Sequence, residues 1–387
     1  LGHWVAWAKR PTIPGMQPEL VRRSALVLRA LTYGPTGAIS AAATTSLPEC
    51  IGGIRNWDYR YCWPRDAALA GAALVKLGNS GVAMKFLDWL LGVLDQCESP
   101  DRLCPVYTVT GGHLVTEAEI MRLTGYSGSR PDRVGNAAAQ QVQLDVFGAV
   151  ALLVATLAER GCPLSGDHRR LVEMMVDAVE LRWKQPDHGI WEPRLPPRHN
   201  VHSKVMCWTT VDRAIAITKY LGRPNTAWTA LRTAIAEDVL ANAWRPDVNA
   251  FSSHYQDAEV DAALLWIALS GFLPNEDPRI VSTVEWIDKR LRSGPTVFRY
   301  RYDDGLPGVE GGFHICTAWL IEALLRCGMR SRAEELFGQL AALAGPTGLM
   351  SEEYDPRTRR ALGNYPQAYS HTGLINAAVA LSDGPGG

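Results

Sequence analysis

The chain has 387 residues, 47% hydrophobic and 20% charged, with a formal net charge of -1. That is ample material for a large core, and it leaves no electrostatic footprint for nucleic acid. No apolar run approaches the roughly 20 residues needed to cross a bilayer, eight cysteines are too sparse for a disulfide scaffold, and the expected location is the cytoplasm.

In chain order, residues 1–17 read as a lead-in or linker from an upstream domain. Trp4 and Trp7 need a surface to pack on, and Pro11 and Pro14 end any helix there. Pro18 then opens a helix at its first position; Leu20, Ser24, Val27, Leu28 and Leu31 share one face, and Gly34 stops it. A long loop follows. Further helical patterns fall at 63–78, 80–97, 137–160, 167–184, 203–221, 224–242, 259–270, 276–292, 311–328, 330–344 and 365–382, about twelve in all.

The connections alternate in length. Those leaving odd-numbered helices are long, on the order of 16 to 40 residues, and those leaving even-numbered ones are about one to six, as antiparallel neighbours require. Long loops therefore share one end. Even members such as Ala67–Val75, Val142–Leu157 and Phe313–Leu325 are apolar nearly all round, whereas odd members such as Glu276–Arg292 and Arg330–Leu343 have one apolar stripe and one charged face. Buried helices alternating with amphipathic ones in six hairpins describe two concentric rings, an all-α (α/α)6 barrel spanning residues 18–382, with 383–387 as a tail. A helical-repeat scaffold would show a fixed period and short regular turns, and neither is present.

Three of the long loops carry chemistry. The first ends Asn56-Trp57-Asp58-Tyr59-Arg60-Tyr61-Cys62-Trp63-Pro64-Arg65-Asp66, where flat aromatic faces interleave with groups that bind paired hydroxyls. Asp187 to Lys204 sets Glu192 beside Trp191, and an indole neighbour raises a carboxyl pKa toward that of a general acid. The last loop contains Ser351-Glu352-Glu353-Tyr354-Asp355. Two carboxylates flanking a glycosidic bond are standard equipment for hydrolysing it. GxSxG, Walker A and GxGxxG patterns are absent. His188, His199 and His202 near Glu192 lack an HExxH helix, which Pro196 and Pro197 would forbid, so neither metal nor cofactor is expected.

The runs NWDYRYCWPRDAAL, SRPDRVGNAAAQQVQLDVFG, HGIWEPRLPPRHNVHSKVMCW, GLPGVEGGFHICTAWLIEAL and SEEYDPRTRRALGNYPQAYSHTGLINAA together resemble the successive signatures of family 15 glycoside hydrolases, the family of glucoamylases and bacterial trehalases. The likeness extends from about residue 18 to 382 and implies an inverting glycosidase that releases β-glucose from the non-reducing end of an α-glucoside. It implies Glu192 as general acid, Glu352 as base with Glu353 as the fallback, and Tyr59, Trp63, Arg65, Asp66 and Trp191 as the residues that hold the sugar. Pro64 in the W-x-R-D motif and Pro193 after the acid depart from the family pattern and bear on substrate choice. Family relatives in bacteria carry a β-sandwich ahead of the barrel, and almost none of it is present. Trehalose and short maltooligosaccharides are the expected substrates; the alternative is a non-catalytic helical carbohydrate-binding or scaffold protein, against which both carboxylates argue.

Overall fold

The structure is a computed structural model that describes residues 2–221 and 226–383. Leu1, the expected helix start at 224–225 and residues 384–387 of the tail lie outside the described residues. The helices are α1 (Gly2–Ala8), α2 (Pro18–Leu31), α3 (Pro64–Lys76), α4 (Gly81–Leu94), α5 (Asp145–Glu159), α6 (Gly166–Arg182), α7 (Val201–Leu221), α8 (Thr226–Ala243), α9 (Trp266–Leu269), α10 (Pro278–Leu291), α11 (His314–Arg326), α12 (Arg330–Ala342) and α13 (Ala368–Ser382).

Polarity decides which ring each helix joins. Every residue of α3 from Pro64 to Val75 is buried, so this helix needs neighbours on all sides. In α10, by contrast, Ile280, Thr283, Val284, Ile287 and Leu291 form one stripe of buried residues at three- and four-residue spacing, which suits a helix with one face to water. The inner members pack in a closed circuit: α3 on α5, α5 on α7, α7 on the segment 262–269, that segment on α11, α11 on α13, and α13 back on α3. Outside them α4 covers α3, α6 covers α5, α8 covers α7, α12 covers α11 and α2 covers α13. This is the (α/α)6 barrel expected from the alternation of loops.

Two inner members are shorter than their apolar patterns suggest. The pattern at 137–160 becomes a 3-10 turn, Ala137–Gln140, an extended break, and then α5; Asn136 caps the turn by accepting from the Ala138 N–H at 2.9 Å. The pattern at 259–270 becomes a 3-10 turn, Ala262–Leu265, followed by the single turn of α9. Asp261 caps it through Ala263 N at 2.6 Å, and the same carboxylate is used in the site described below. Local capping by Asn and Asp competes with continuation of the helix. The lead-in forms α1, whose Trp7 is buried in the main core while Trp4 stays largely exposed.

The long loops also contain short strands: β1 (Ala118–Ile120) with β2 (Asp132–Val134), β3 (Trp244–Arg245) with β4 (Ala250–Phe251), and an antiparallel sheet of β5 (Arg292–Ser293), β6 (Thr296–Val297), β7 (Gly312–Phe313), β8 (Glu353–Asp355) and β9 (Arg360–Leu362) in that order. Phe313 pairs with Glu353, so this sheet fixes the last carboxylate loop against the start of α11. Among the described residues no helix is long and apolar enough to cross a membrane.

Candidate active site

The loop carrying Glu192 is closed at its base by reciprocal backbone bonds of 2.9 Å between Asp187 and Arg198. Asp187 is fully buried. Its carboxylate accepts from Leu144 N (3.0 Å), Gly189 N (3.2 Å), Ser203 Oγ (2.7 Å) and Asn200 Nδ2 (3.0 Å), which ties the loop to the starts of α5 and α7. Within it Glu192 has φ +58°, a left-handed conformation that a residue with a Cβ adopts only when its surroundings impose it. Gln141 imposes it in part, its Nε2 donating to Glu192 O (3.3 Å) and Pro193 O (3.2 Å).

Glu192 Oε1 accepts from Trp63 Nε1 at 2.7 Å and Gln143 Nε2 at 3.0 Å, with Arg65 Nη2 at 3.8 Å. Burial raises its pKa, while Arg65, Gln143 and Trp63 hold the rise in check. With Oε1 filled by donors, Oε2 is the oxygen left to carry a proton. Arg65 in turn donates through Nε to Asp66 Oδ1 (2.9 Å) and through Nη1 to Gln143 Oε1 (2.8 Å) and Asp145 Oδ2 (3.3 Å). The indole of Trp191 turns away from Glu192: its Nε1 donates to both oxygens of Asp261, each at 2.8 Å.

Glu352 is 6% exposed, and among the described residues its Oε2 has no hydrogen-bond partner. Burial lifts its pKa well above the glutamate range and Glu49 adds to the lift, while Tyr59 and the Arg299 guanidinium pull the other way. Glu192 follows Trp191 in the chain and Glu352 follows Ser351, but neither preceding residue is the carboxyl group's partner in space. The Ser351 hydroxyl donates to Glu353 O at 2.8 Å instead, and adjacent residues of extended chain face opposite ways, so Glu353 turns from Glu352 and accepts from Gly311 N at 2.6 Å.

All seven residues singled out from the sequence, Tyr59, Trp63, Arg65, Asp66, Trp191, Glu192 and Glu352, line one cavity of about 520 Å³. Its other walls include Arg299, Phe313, Gln367 and Tyr369. A second cavity of about 510 Å³ shares Tyr59, Trp191, Glu192 and Arg299 with the first and is otherwise lined by groups such as Glu49, Trp57, Asn136, Arg194 and Asp304. Glu353, the fallback base, lines neither. It belongs to a buried acidic group with Glu49 and Glu310, whose oxygens lie within 4.8 Å of one another. Arg299 offsets that group with bonds of 2.7 and 2.6 Å to Glu310, and Arg55 with bonds of 2.8 and 2.7 Å to Asp304 and 3.2 Å to Glu310.

The histidines near Glu192 have other partners. His188 Nδ1 accepts from Val142 N at 3.1 Å, and His199 stacks on Tyr255 with centroids 5.5 Å apart. His202 is buried, which pushes its pKa down to about 4. Gln143, Asp261 and Arg299 were missed in the sequence. Gln143 lies in a run quoted for its motif, Asp261 in the run 259–270 read only as helix, and Arg299 in a loop without a motif.

Six helical hairpins with a carboxylate-lined cavity on one rim place the chain among (α/α)6 barrel proteins. Residues 15–379 match the pattern of glycosyl hydrolases family 15, and the chain belongs to that family. It is 38% identical over 384 residues to a trehalase of Thermoplasma acidophilum, covering 98% of this chain and 65% of that protein. It is 42% identical over 366 residues to a trehalase of Mycolicibacterium smegmatis, covering 93% of this chain and 54% of that one. The chain thus spans between about half and two thirds of the length of these curated relatives. In fold it is similar to a wild-type glycosidase (TM-score 0.76, 20% identity, 94% of this chain and 96% of that one) and to a bacterial glucoamylase complexed with acarbose (TM-score 0.72, 15% identity, 98% and 59%).

Proposed function

We propose that the protein hydrolyses an α-linked glucoside from its non-reducing end with inversion, trehalose foremost and short maltooligosaccharides after it. The observation that carries this reading is the convergence of Glu192 and Glu352, from loops 160 residues apart in sequence (352 minus 192), on one cavity walled by Tyr59, Trp63 and Trp191 and floored by the Arg65–Asp66 pair. The relatives named trehalase direct the choice of substrate.

In this mechanism Glu192, protonated on Oε2, gives its proton to the leaving glycosidic oxygen as the C1–O bond breaks. Glu352 takes a proton from the water whose oxygen bonds to C1 on the opposite face, so the attacked ring leaves as β-glucose while the protonated leaving group departs unchanged, which for trehalose is α-glucose. Inversion needs room for that water, so the carboxyl groups are expected about 6.5 to 9.5 Å apart. Trp63, Gln143 and Arg65 favour charge on Glu192, whereas catalysis needs charge on Glu352. The positive charge developing at C1 supplies the bias, and the pH profile reports the coupled pair rather than either residue alone. Arg65 and Asp66, an ion pair at 2.9 Å, offer a donor beside an acceptor for adjacent sugar hydroxyls.

Glucose release from trehalose, maltose, maltotriose and isomaltose tests the activity, and proton NMR of the first-formed glucose tests the stereochemistry. Glu192→Gln and Glu352→Gln should each cut kcat by several orders of magnitude while substrate still binds. From trehalose, inversion gives α- and β-glucose in equal amounts at the earliest times; early α-glucose without β-glucose, or full activity in Glu352→Gln with loss in Glu353→Gln, overturns the assignment.

A further inference from the structure

The wall of the second cavity includes Arg194, whose side chain is 38% exposed and stands at its outer edge. Arg194, two residues past Glu192, donates through Nη2 to both oxygens of Glu117 at 2.7 and 2.8 Å. Its guanidinium also lies 4.8 Å from the centre of the Trp57 ring. The guanidinium of Arg133 lies at the same 4.8 Å from Trp57, so two cations contact one indole. Arg133 is itself fixed, its Nη1 donating to Ile54 O and Asn56 O at 2.8 Å each, with its Nε 3.5 Å from Glu117 Oε1. Glu117 Oε2 further accepts from Ala137 N at 3.1 Å.

Three separate loops are thereby locked: the one before α3 through Trp57, the one between α4 and α5 through Glu117 and Arg133, and the Glu192 loop through Arg194. On the far side Leu195 lies against Gly305, where a Cβ would come within 3.2 Å of its Cδ2, so the Glu192 loop is braced by the 304–306 turn as well. A bidentate carboxylate and an aromatic face together hold a guanidinium far more firmly than a solvated arginine is held.

The two cavities meet at Glu192, which lines both. The second is lined by Asn136, Gln141, Arg194 and Asp304 together with the aromatic residues Trp57, Tyr59, Trp191 and Tyr300; the Trp57 ring is already taken up by the Arg133 and Arg194 guanidinium groups, so it is not free as a platform for a further sugar. We infer that Arg194, locked by Glu117 and Trp57, is the residue of the second cavity that ranks a disaccharide with a hydroxyl-rich second ring above longer chains. This rests on the placement of the scissile bond at Glu192 proposed above. Arg194 is then a specificity-determining residue: it contacts the second sugar.

The test compares kcat/KM for trehalose and maltotriose in the wild type, Arg194→Ala, Arg194→Lys and Glu117→Gln. Arg194→Ala should raise KM for trehalose roughly tenfold with kcat changed less, and should raise the maltotriose-to-trehalose ratio of kcat/KM by roughly tenfold or more. Glu117→Gln, which loosens the arginine without removing it, should move the ratio the same way by less. Arg194→Lys, which keeps the charge and loses the planar guanidinium on Trp57, should resemble Arg194→Ala. Equal losses on both substrates, or an unchanged ratio, overturn the inference. The same ratio is measured as dissociation constants by calorimetry in a Glu192→Gln background. A ratio that shifts there in a protein whose unsubstituted form releases no glucose would sink the proposed reaction and leave the role of Arg194 standing; a ratio that stays fixed would sink that role.

Discussion

Glu49 offers the most direct check on the electrostatics around the site, because its effect on stability has a definite sign. It is 2% exposed, and among the described residues its Oε2 accepts no hydrogen bond; the nearest cation, Arg299 Nη2, is 3.8 Å away. Burial outweighs the Arg299 attraction and, with repulsion from Glu310, lifts its pKa from 4.5 to about 7. The folded state therefore binds a proton that the unfolded chain has released between these values. Stability from this group is fully present below pH 4.5 and is lost as pH rises through about 7. A shift from 4.5 to about 7, at about 1.36 kcal/mol per unit, corresponds to at most about 3 kcal/mol at alkaline pH. Glu49→Gln keeps the shape and removes the titration. The variant should match the wild type in urea unfolding at low pH, exceed it by a margin that grows between pH 4.5 and about 7, and keep that margin above. A stability difference that stays constant across the range, or a variant less stable at alkaline pH, would refute the reasoning.

Two further perturbations act on the catalytic cavity. Gly363 has φ +73°, and a Cβ there would lie 2.6 Å from Glu352 Oε2 and 2.7 Å from Glu352 Cβ, so Gly363→Ala should displace that carboxylate, lower kcat by at least roughly tenfold and cost about 1–2 kcal/mol of stability from the left-handed conformation alone; unchanged kcat in a melted-down variant would place Glu352 outside the chemistry. Asp66→Ala should lower kcat/KM by the equivalent of about 2–5 kcal/mol, since it leaves Arg65 buried and half-paired; wild-type kcat/KM with a lower melting temperature would make the pair purely structural.

The barrel was legible because its two rings differ in composition. An inner helix such as α3, buried from Pro64 to Val75, cannot be amphipathic, and an outer one such as α10 must be, so the order of the rings is written in the polarity of successive helices. What failed to show was where an apolar run stops being helical. The run at 259–270 has the composition of an inner helix, yet Asp261 takes the Ala263 N–H and turns the first half into a 3-10 segment. Nothing in a hydrophobic period reports that a side chain has claimed the backbone. The strands escaped notice for a related reason: β5 to β9 are two or three residues each, too short for alternation to appear.

The site was legible where chemistry is clustered in sequence and hidden where it is distributed. Trp63, Arg65 and Asp66 lie together and were read together, and the cavity contains all three. Which indole serves which carboxylate was not readable. Trp191 precedes Glu192 in the chain, but its N–H goes to Asp261, and it is Trp63, 129 residues away, that donates to the acid. Neighbours in sequence share a backbone, and the left-handed conformation of Glu192 turns its side chain from that of Trp191, so adjacency predicts that two residues belong to one loop without predicting that they touch. The same rule separates Glu352 from Glu353, which sequence alone leaves as rival bases: one faces the cavity and the other the Gly311 amide. A residue's partners in this site are fixed by the loop opposite, and the long loops between hairpins exist to bring such partners to one rim.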